Sequence, residues 1–429
     1  MSVRNLPAQP KASYDPNVWR WLAGFGLGLL GDQIFYIALA WTAGQVTSAS
    51  MAGLIVAVGA LPRALLLLVG GAVADSLGAR RVAIASDATR FLTMVAFAVV
   101  TASQARSVAV LIVLGLLFGA IDAFFLPSVS ALPPRIVTRA ELARTQALRS
   151  VVQRLAAVGG PPLGGFLLSG YGLSAALTLN AVLFGFSLLV LMLTEERAGT
   201  PLTQDPEAVP PGHLLRDIKT GLVYIGSNSA LRSMLSLIAM GEFAFSGPFS
   251  VGLILLGQDR GWTASDVGFA LAAFGLGAAM SALTISVLGH VPRAGLVSLI
   301  AIFAMGPAMA GIGLSQSTVT ALIFAGIAGL CSGVCATLLV SLFLLTSDQR
   351  QVGRVMSALS LATFGAAPLS YSASGLIADV LGTNVVFIAC GILVSASAVA
   401  GASSRQLRAL VLPHAEGSRT AGRPGPTDS

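Results

Sequence analysis

The length, composition and charge of the chain exclude an ordinary soluble protein. Its 429 residues are 55% hydrophobic and 10% charged, and the mean hydropathy is +0.84. The formal net charge of +7 comes from 25 Lys and Arg against 18 Asp and Glu. The arginines lie in short loops between apolar stretches, without interleaved aromatic residues. This pattern indicates orientation in a membrane, and we expect no binding to nucleic acid.

Apolar stretches long enough to cross a bilayer follow one another along nearly the whole chain, since a spanning helix needs about 20 residues. They predict an all-α membrane protein. We expect a cytoplasmic segment at 1–16, whose polar residues lead into an uncleaved first span. The expected spans are 17–44, 51–74, 81–102, 107–126, 142–169, 173–193, 231–257, 264–288, 294–314, 318–346, 352–380 and 383–402, which makes twelve.

One long polar connection, 195–230, separates the sixth span from the seventh. It is Pro-rich, and its segment 213–225 predicts an amphipathic helix on the membrane surface. The polar tail 405–429 is expected to be a disordered cytoplasmic segment. The connection therefore divides the spans into an N-terminal half, 17–194, and a C-terminal half, 231–404.

Matching residues recur in the two halves at an offset of 210 positions. Such an offset indicates parallel six-helix repeats, related by an axis along the membrane normal. The matching pairs are Asp32 with Glu242, Arg144 with Arg354, Gly165 with Gly375, and Gly172 with Gly382.

The distribution of Lys and Arg predicts which side of the membrane each loop occupies. With the N-terminus inside, twenty of the 25 lie in cytoplasmic loops, tails or helix ends. Arg106 and Arg260 fall outside, and Arg63, Arg90 and Arg154 lie within spans. Because cytoplasmic loops carry the excess of Lys and Arg, both termini are predicted to be cytoplasmic.

Asp32 and Glu242 each lie about halfway along an apolar span. A charged residue at that depth costs about 2.5–3.5 kcal/mol on insertion scales, so such residues are usually functional. We expect both acids to border a water-filled cavity between the halves, without a partner within one helical turn. Apolar surroundings favour the protonated carboxyl, so each acid can load and release a proton, and a substrate cation would compete with it. The alternative is a buried carboxylate hydrogen-bonded to a neighbouring helix.

Other charges lie inside the predicted spans. Asp87 and Arg90 are three residues apart, so they can pair on one helix face, and we interpret them as a structural ion pair. Asp122 and Arg154 lie at comparable depth on consecutive antiparallel spans, which predicts a pair across helices. This pair is either a static lock or a proton relay. Arg63 and Arg154 are also able to reach the cavity.

The loop after the second span contains Gly71, Asp75, Gly78, Arg80 and Arg81. Its glycines allow a sharp turn and a close approach of two helix ends. Asp75 can accept hydrogen bonds from a helix N-terminus or from an arginine, and the two arginines hold the cytoplasmic side. The loop is either a basic segment that sets the topology or a latch that favours one conformation.

The fifth span contains Gly160-Pro161-Pro162-Leu163-Gly164-Gly165. The two prolines remove backbone donors and are expected to bend the helix. Gly164 and Gly165 leave a bare face for close packing. The segment predicts either an ordinary kink or a seal between the halves, and the corresponding Ser370-Tyr371-Ser372 of the second half lacks the motif.

Both motifs resemble those of the major facilitator superfamily. The stretch 71–81 resembles its signature loop, with Ser76 and Ala79 where the family usually has basic residues. Gly160–Gly165 resembles its antiporter motif. Short motifs around positions 32, 63, 126, 146 and 355 resemble the drug-proton antiporter branch that holds macrolide-efflux and enterobactin-exporter proteins. The resemblance covers all the predicted spans and implies a two-domain facilitator bundle.

We therefore expect a secondary transporter of a bacterial inner membrane that exports a small amphipathic organic compound by proton antiport with alternating access. Its partners would be the substrate, protons and membrane lipid, and it would be a monomer. The two acids favour a cationic or zwitterionic substrate, while siderophore-like anions stay open because of the two arginines. Other open functions are an uncoupled transporter, a lipid or lysolipid transporter and, although the cavity acids argue against it, a non-transporting membrane sensor.

An enzyme is not expected. The sequence has no nucleotide-binding GxxxxGK[ST] segment and no Ser/His/Asp set. Cys331 and Cys335 share a helix face, but no histidine or carboxylate joins them, so we interpret them as packing residues. We expect no metal and no cofactor.

Overall fold

A computed structural model of the chain describes residues 15–103, 107–196, 214–289, 291–348, 351–403, 408 and 410. These residues form helices joined by short turns. Nearly all of the predicted segment 1–16, the part 197–213 of the predicted connection and most of the predicted tail lie outside the described residues. The helices are α1 Pro16–Val46, α2 Ala49–Leu77, α3 Ala79–Ala102, α4 Val108–Ser130, α5 Pro133–Ile136, α6 Arg139–Met192, α7 Leu214–Ser227, α8 Ser229–Gly247, α9 Leu253–Asp259, α10 Ala264–Leu288, α11 Ala294–Leu314, α12 Thr318–Thr346, α13 Val352–Leu381 and α14 Thr383–Ala402.

The all-helical membrane fold is confirmed. Among the described residues, ten helices are long and apolar enough to cross a membrane. One of them, Glu141–Met192, has 52 residues, which is more than twice what one crossing needs. Its helical backbone breaks at Gly172, where φ is 79°, a conformation that glycine adopts without steric cost. The break falls between the predicted fifth and sixth spans.

The count of twelve spans stays a prediction. The predicted eleventh span forms the 30-residue helix α13, which is not among the ten candidate spans. If Glu141–Met192 crosses the membrane twice and α13 crosses once, the number of crossings is twelve.

The helices pack in two groups, α1 to α6 and α8 to α14. In the first group α1 and α3 pack on α6, and α2 packs on α4. In the second, α10 and α11 pack on α12, α11 packs on α14, and α13 packs on α8. The groups meet mainly where α2 contacts α13 and where α6 contacts α10. At an offset of 210, α2 corresponds to α10 and the first part of α6 corresponds to α13, so the two contacts are equivalent.

The predicted seventh span is not one regular helix. Between α8 and α9, Pro248–Gly252 forms a turn of π-helix. Pro248 has no backbone N–H and therefore breaks the α-helical hydrogen-bond pattern. Ser370 of α13 compensates, because its hydroxyl accepts from Gly247 N at 2.7 Å and donates to the Phe243 carbonyl. Single π-turns of this kind are frequent at functional sites.

Candidate functional site

A cavity of about 660 Å³ lies between the two helix groups. This volume is within the range of small-molecule sites, about 300–1,000 Å³. Helices α1, α2 and α6 form one wall, and α8, the π-turn, α9, α10 and α13 form the other. The polar and aromatic lining residues are Gln33, Tyr36, Arg63, Ser150, Gln153, Arg154, Glu242, Phe245, Ser246, Phe249, Ser250, Phe274, Thr363, Phe364 and Tyr371.

Three phenylalanines form an aromatic cluster in the second wall. The ring centroids of Phe245 and Phe274 are 4.7 Å apart, with an interplanar angle of 23°. Phe249 lies 4.8 Å from Phe245 and 4.5 Å from Phe274. Stacked rings of this kind offer a large, flat apolar surface to a flat ligand.

Glu242 lines the cavity one helical turn before this cluster. The Ser246 hydroxyl donates to its Oε2 at 3.4 Å, so a weak partner does lie within one turn. Among the described residues, no basic side chain lies within 4.0 Å of the Glu242 carboxylate, the distance limit for an ion pair. A proton or a substrate cation can therefore reach this carboxylate from the cavity.

Asp32 lies behind the cavity wall, unlike the prediction that both acids border the cavity. On α1, Gln33, Tyr36 and Ile37 share the face that lines the cavity, as residues spaced by three and four positions do. Asp32 falls on the neighbouring face, where its side chain is 8% exposed and its Oδ1 lies 3.4 Å from Arg90 Nη2. The expected cavity position of Asp32 is therefore wrong, because Asp32 pairs with Arg90 of α3 inside the first helix group.

Arg90 is the centre of a buried charge network. It contacts Asp32, Asp122 and, at 3.6 Å, Asp87. Asp122 Oδ2 also lies 2.9 Å from Arg63 Nη1. The ion pair proposed for Asp87 and Arg90 is thus one part of a network with three carboxylates and two guanidinium groups. If all five are ionised, its net charge is −1, which leaves room for one proton.

The predicted pair of Asp122 with Arg154 is wrong. The carboxylate of Asp122 instead forms ion pairs with Arg63 and Arg90, because α2 and α3 both pack on α4. Arg154 instead faces α10, where its Nη1 donates to the Ala278 carbonyl at 3.4 Å. Arg154 therefore lines the cavity rather than the network.

Arg63 connects the network to the cavity. Its side chain is 21% exposed and lines the cavity. Besides the ion pair with Asp122, its Nη1 donates to the Tyr36 hydroxyl at 3.5 Å, and its guanidinium lies 6.0 Å from the Phe364 ring centroid. A change of charge in the network can therefore alter the electrostatic potential in the cavity through Arg63.

Hydrogen bonds join the helix groups at the end of the bundle where α1 ends and α2 begins, and we call this contact the seal. There Gln258 Nε2 donates to the Trp41 carbonyl at 2.8 Å, and the Ser50 hydroxyl donates to Asp379 Oδ2 at 2.7 Å. Each bond joins one helix group to the other. We call this region the α1–α2 end.

Glycines allow the backbones to meet in this seal. A Cβ on Gly53 of α2 would lie 2.6 Å from the Tyr371 carbonyl oxygen and 2.8 Å from Gly375 Cα. Real Cβ atoms do not approach so closely, and backbone atoms cannot move aside as a flexible side chain can. Small residues at helix contacts serve this purpose in membranes.

The Gly160–Gly165 segment packs on both helix groups at once. Gly160 and Gly164 lie against α1, and Gly165 lies against the start of α10. In return, a Cβ on Gly268 of α10 would lie 2.9 Å from Pro162 Cα. The segment therefore lies at the seal, although its role there stays a prediction.

Arg80 of the predicted latch joins two helix ends. Its Nε donates to the Thr194 carbonyl and its Nη2 to the Met192 carbonyl, each at 2.7 Å. These carbonyls lie at the C-terminus of α6, where a cation is stabilised by the helix dipole and by unpaired acceptors. The contact lies within the first helix group.

The other residues of that loop make fewer contacts. Gly78 ends α2 with φ of 93°, which supplies the sharp turn. A Cβ on Gly71 would meet no atom within 4 Å, so the expected close approach does not occur there. Asp75 and Arg81 are exposed.

Most of the apolar cavity lining and the π-turn are not predicted by the sequence patterns. Pro248, six residues after Glu242, was the available signal for an irregular helix. The aromatic cluster had no signal, because phenylalanines are common in every span. Tyr36 lies one turn from Asp32 and follows from helical spacing only once the cavity-facing side of α1 is known.

Curated relatives of the chain are bacterial exporters. It is 27% identical over 366 residues to the multidrug efflux pump Tap of Mycolicibacterium fortuitum, covering 84% of this chain and 88% of the relative. It is 26% identical over 295 residues to the enterobactin exporter EntS of Shigella boydii serotype 18, covering 67% of each.

Solved transporter structures share the fold. The nucleoside transporter NupG gives a TM-score of 0.71 at 12% identity, covering 90% of this chain and 99% of that structure. The transporter PepTSo gives 0.72 at 12% identity, covering 93% and 99%. The resemblance to the major facilitator superfamily is confirmed, and the family performs transport rather than enzymatic catalysis. The family model described as Transmembrane secretion effector matches residues 12–416, so the chain belongs to this family of the major facilitator superfamily.

Proposed function

We propose that the chain exports a small amphipathic organic compound in exchange for protons. Glu242 carries this proposal, since it is a carboxylate in a central cavity, without an ion-pair partner among the described residues and beside an aromatic cluster. The similarity to a multidrug efflux pump and to an enterobactin exporter supports export as the direction.

The location and orientation are part of the same proposal. The excess of Lys and Arg in the predicted cytoplasmic loops supports cytoplasmic termini. The proposal is a monomer in the inner membrane of a bacterial cell. The sealed α1–α2 end then faces outward, and the cavity is reached from the cytoplasm. This is the conformation in which an exporter loads its cargo.

Alternating access would follow from rocking of the halves 17–194 and 231–404. Opening of the outer side requires the α2–α13 and α6–α10 contacts to separate, with loss of the Ser50–Asp379 and Gln258–Trp41 hydrogen bonds. These bonds are few and lie at helix ends. Facilitators move in this way around a fixed site near the midplane.

Competition at Glu242 supplies the coupling. A proton that enters from outside neutralises the carboxylate, and its release to the cytoplasm leaves a negative charge that binds a cationic group of the cargo. Since one carboxylate cannot hold both, proton and cargo move in opposite directions. The buried network of Asp32, Asp87, Arg90, Asp122 and Arg63 holds the first half together and offers a second protonation site, behind the wall.

A second candidate is export of a siderophore. The relative named as an enterobactin exporter and the cavity position of Arg154 favour it. Faster efflux of enterobactin than of a cationic dye from loaded vesicles would select it.

Efflux from proteoliposomes tests the main proposal. The vesicles are loaded with a planar cationic dye, the methyl ester of a rhodamine, and efflux is followed with and without an imposed pH gradient. We expect the gradient to accelerate efflux by wild-type protein and not by Glu242→Gln. Glu195→Gln, which changes an exposed carboxylate, is the control that keeps the acceleration.

Two outcomes contradict the proposal or part of it. If the gradient accelerates efflux by Glu242→Gln as much as by wild type, Glu242 is not the coupling acid. If efflux by wild type ignores the gradient, the transporter is uncoupled. Asp32→Asn, made separately, shows whether the buried network takes part.

A further inference from the structure

Two opposite charges in the cavity lack an ionic partner among the residues that the structure describes. Of the described residues that line it, three are charged: Arg63, Arg154 and Glu242. Arg63 is balanced by Asp122 at 2.9 Å. Neither Arg154 nor Glu242 has an oppositely charged group within 4.0 Å among the described residues. They lie on different helix groups, Arg154 on α6 and Glu242 on α8.

The guanidinium of Arg154 has most of its donors available. It has five N–H donors in a fixed planar arrangement, and its contact with the Ala278 carbonyl is long, at 3.4 Å. Such a group in a partly desolvated cavity is stabilised by an anion, above all by a carboxylate that accepts two parallel hydrogen bonds. Arg154 is thus suited to an anionic group of the cargo.

The aromatic cluster lines the same cavity as the two charges, and each charge is about one helical turn from one of its rings. Phe245 follows Glu242 by three residues on α8, so both project from one helix face. Phe274 precedes Ala278, the contact of Arg154, by one turn of α10. The rings of Phe245 and Phe274 stack at 4.7 Å. The cavity therefore presents a carboxylate, stacked rings and a guanidinium to one ligand.

We infer that the cargo is amphoteric: a flat apolar body with a cationic group for Glu242 and an anionic group, such as a carboxylate, for Arg154. This inference rests on the proposed export function and narrows its substrate class. A purely cationic compound leaves Arg154 uncompensated, and a purely anionic one leaves Glu242 uncompensated. An amphoteric compound neutralises both and bridges the two helix groups.

A matched pair of dyes tests this inference. A rhodamine with a free carboxylate is a flat zwitterion, and its methyl ester is the same cation without the anionic group. Binding of each dye to purified protein is measured by fluorescence anisotropy at neutral pH. We expect wild type to bind the zwitterion more tightly than the ester, by about tenfold, as for one charge-assisted contact.

Variants assign the preference to Arg154. Arg154→Gln is expected to remove it by weakening binding of the zwitterion about tenfold, with a change of less than about threefold for the ester. Arg154→Lys should keep part of the preference, because it retains the charge but not the planar donors. Arg144→Gln, which removes an exposed charge from the same helix, leaves the preference intact.

Three results overturn the inference: equal affinity of wild type for both dyes, equal weakening of both dyes by Arg154→Gln, or binding of neither dye. Failure of the export proposal is a separate result. Gradient-driven efflux of the ester without preference for the zwitterion contradicts the inference alone. Preference for the zwitterion without any gradient-driven efflux contradicts the coupling alone.

Discussion

At the scale of single residues, the buried charge network contains three carboxylates but two guanidinium groups. Arg90 is fully buried and contacts three carboxylates, one of which Arg63 also pairs. A buried charge without a partner is costly, so each guanidinium offsets repulsion between the acids. Removal of a carboxylate brings the charges closer to balance, whereas removal of Arg90 leaves like charges together. The consequences for stability should therefore be unequal.

Arg90→Gln is expected to lower the free energy of unfolding by about 3–5 kcal/mol, the range for a buried ion pair that loses one partner. Asp32→Asn should cost less than Arg90→Gln, because the contact of Asp32 with Arg90 is 3.4 Å long and Arg90 keeps two carboxylates. Denaturant unfolding of both purified variants in detergent gives the comparison. An equal loss of stability in the two variants would show that the excess negative charge has no energetic role.

At the scale of helices, the sequence located the elements but not the faces that line the cavity. The predicted spans 264–288, 294–314, 318–346 and 383–402 coincide with α10, α11, α12 and α14. An apolar stretch in lipid must satisfy its backbone hydrogen bonds internally, so it forms a helix that ends where the polar residues begin. The cavity-facing side is not encoded in the same way. A helix that is apolar all round gives no amphipathic stripe, which is why Asp32 was assigned to the cavity instead of Gln33.

Gly375→Val is expected to prevent closure of the α1–α2 end. The Cβ alone would lie 2.9 Å from Gly53 Cα, and overpacking of this kind costs about 1–3 kcal/mol, enough to shift a two-state equilibrium about tenfold. In an Ala60→Cys background, which puts the probe on the cavity wall, labelling from outside by an impermeant maleimide should increase, and efflux should fall. Gly353→Val on the same helix, where an added Cβ meets no atom within 4 Å, is the control. Unchanged labelling in Gly375→Val would exclude this contact as the seal.

At the scale of the whole molecule, the cavity draws its charges from both helix groups. Arg154 belongs to the first group and Glu242 to the second, so the proposed rocking of the halves would change the distance between them. A cargo that contacts both therefore favours the conformation that encloses it, since a ligand shifts an equilibrium by its differential affinity. A proton on Glu242 removes one end of this bridge. Empty, protonated and loaded carriers are then expected to differ in which end of the cavity is open.

The charge moved in one cycle follows from this arrangement. Glu242 is the one carboxylate among the described lining residues, so the proposed exchange is expected to use one proton for each cargo. Export of a cation for one proton moves no net charge, whereas export of a zwitterion for one proton moves one positive charge inward. A membrane potential, negative inside, is worth about 2.3 kcal/mol per charge per 100 mV. Such a potential, set with potassium and valinomycin, should therefore accelerate efflux of the carboxylate-bearing rhodamine and leave efflux of its methyl ester unchanged. Equal responses of the two dyes would mean that the proton count does not follow from Glu242 alone.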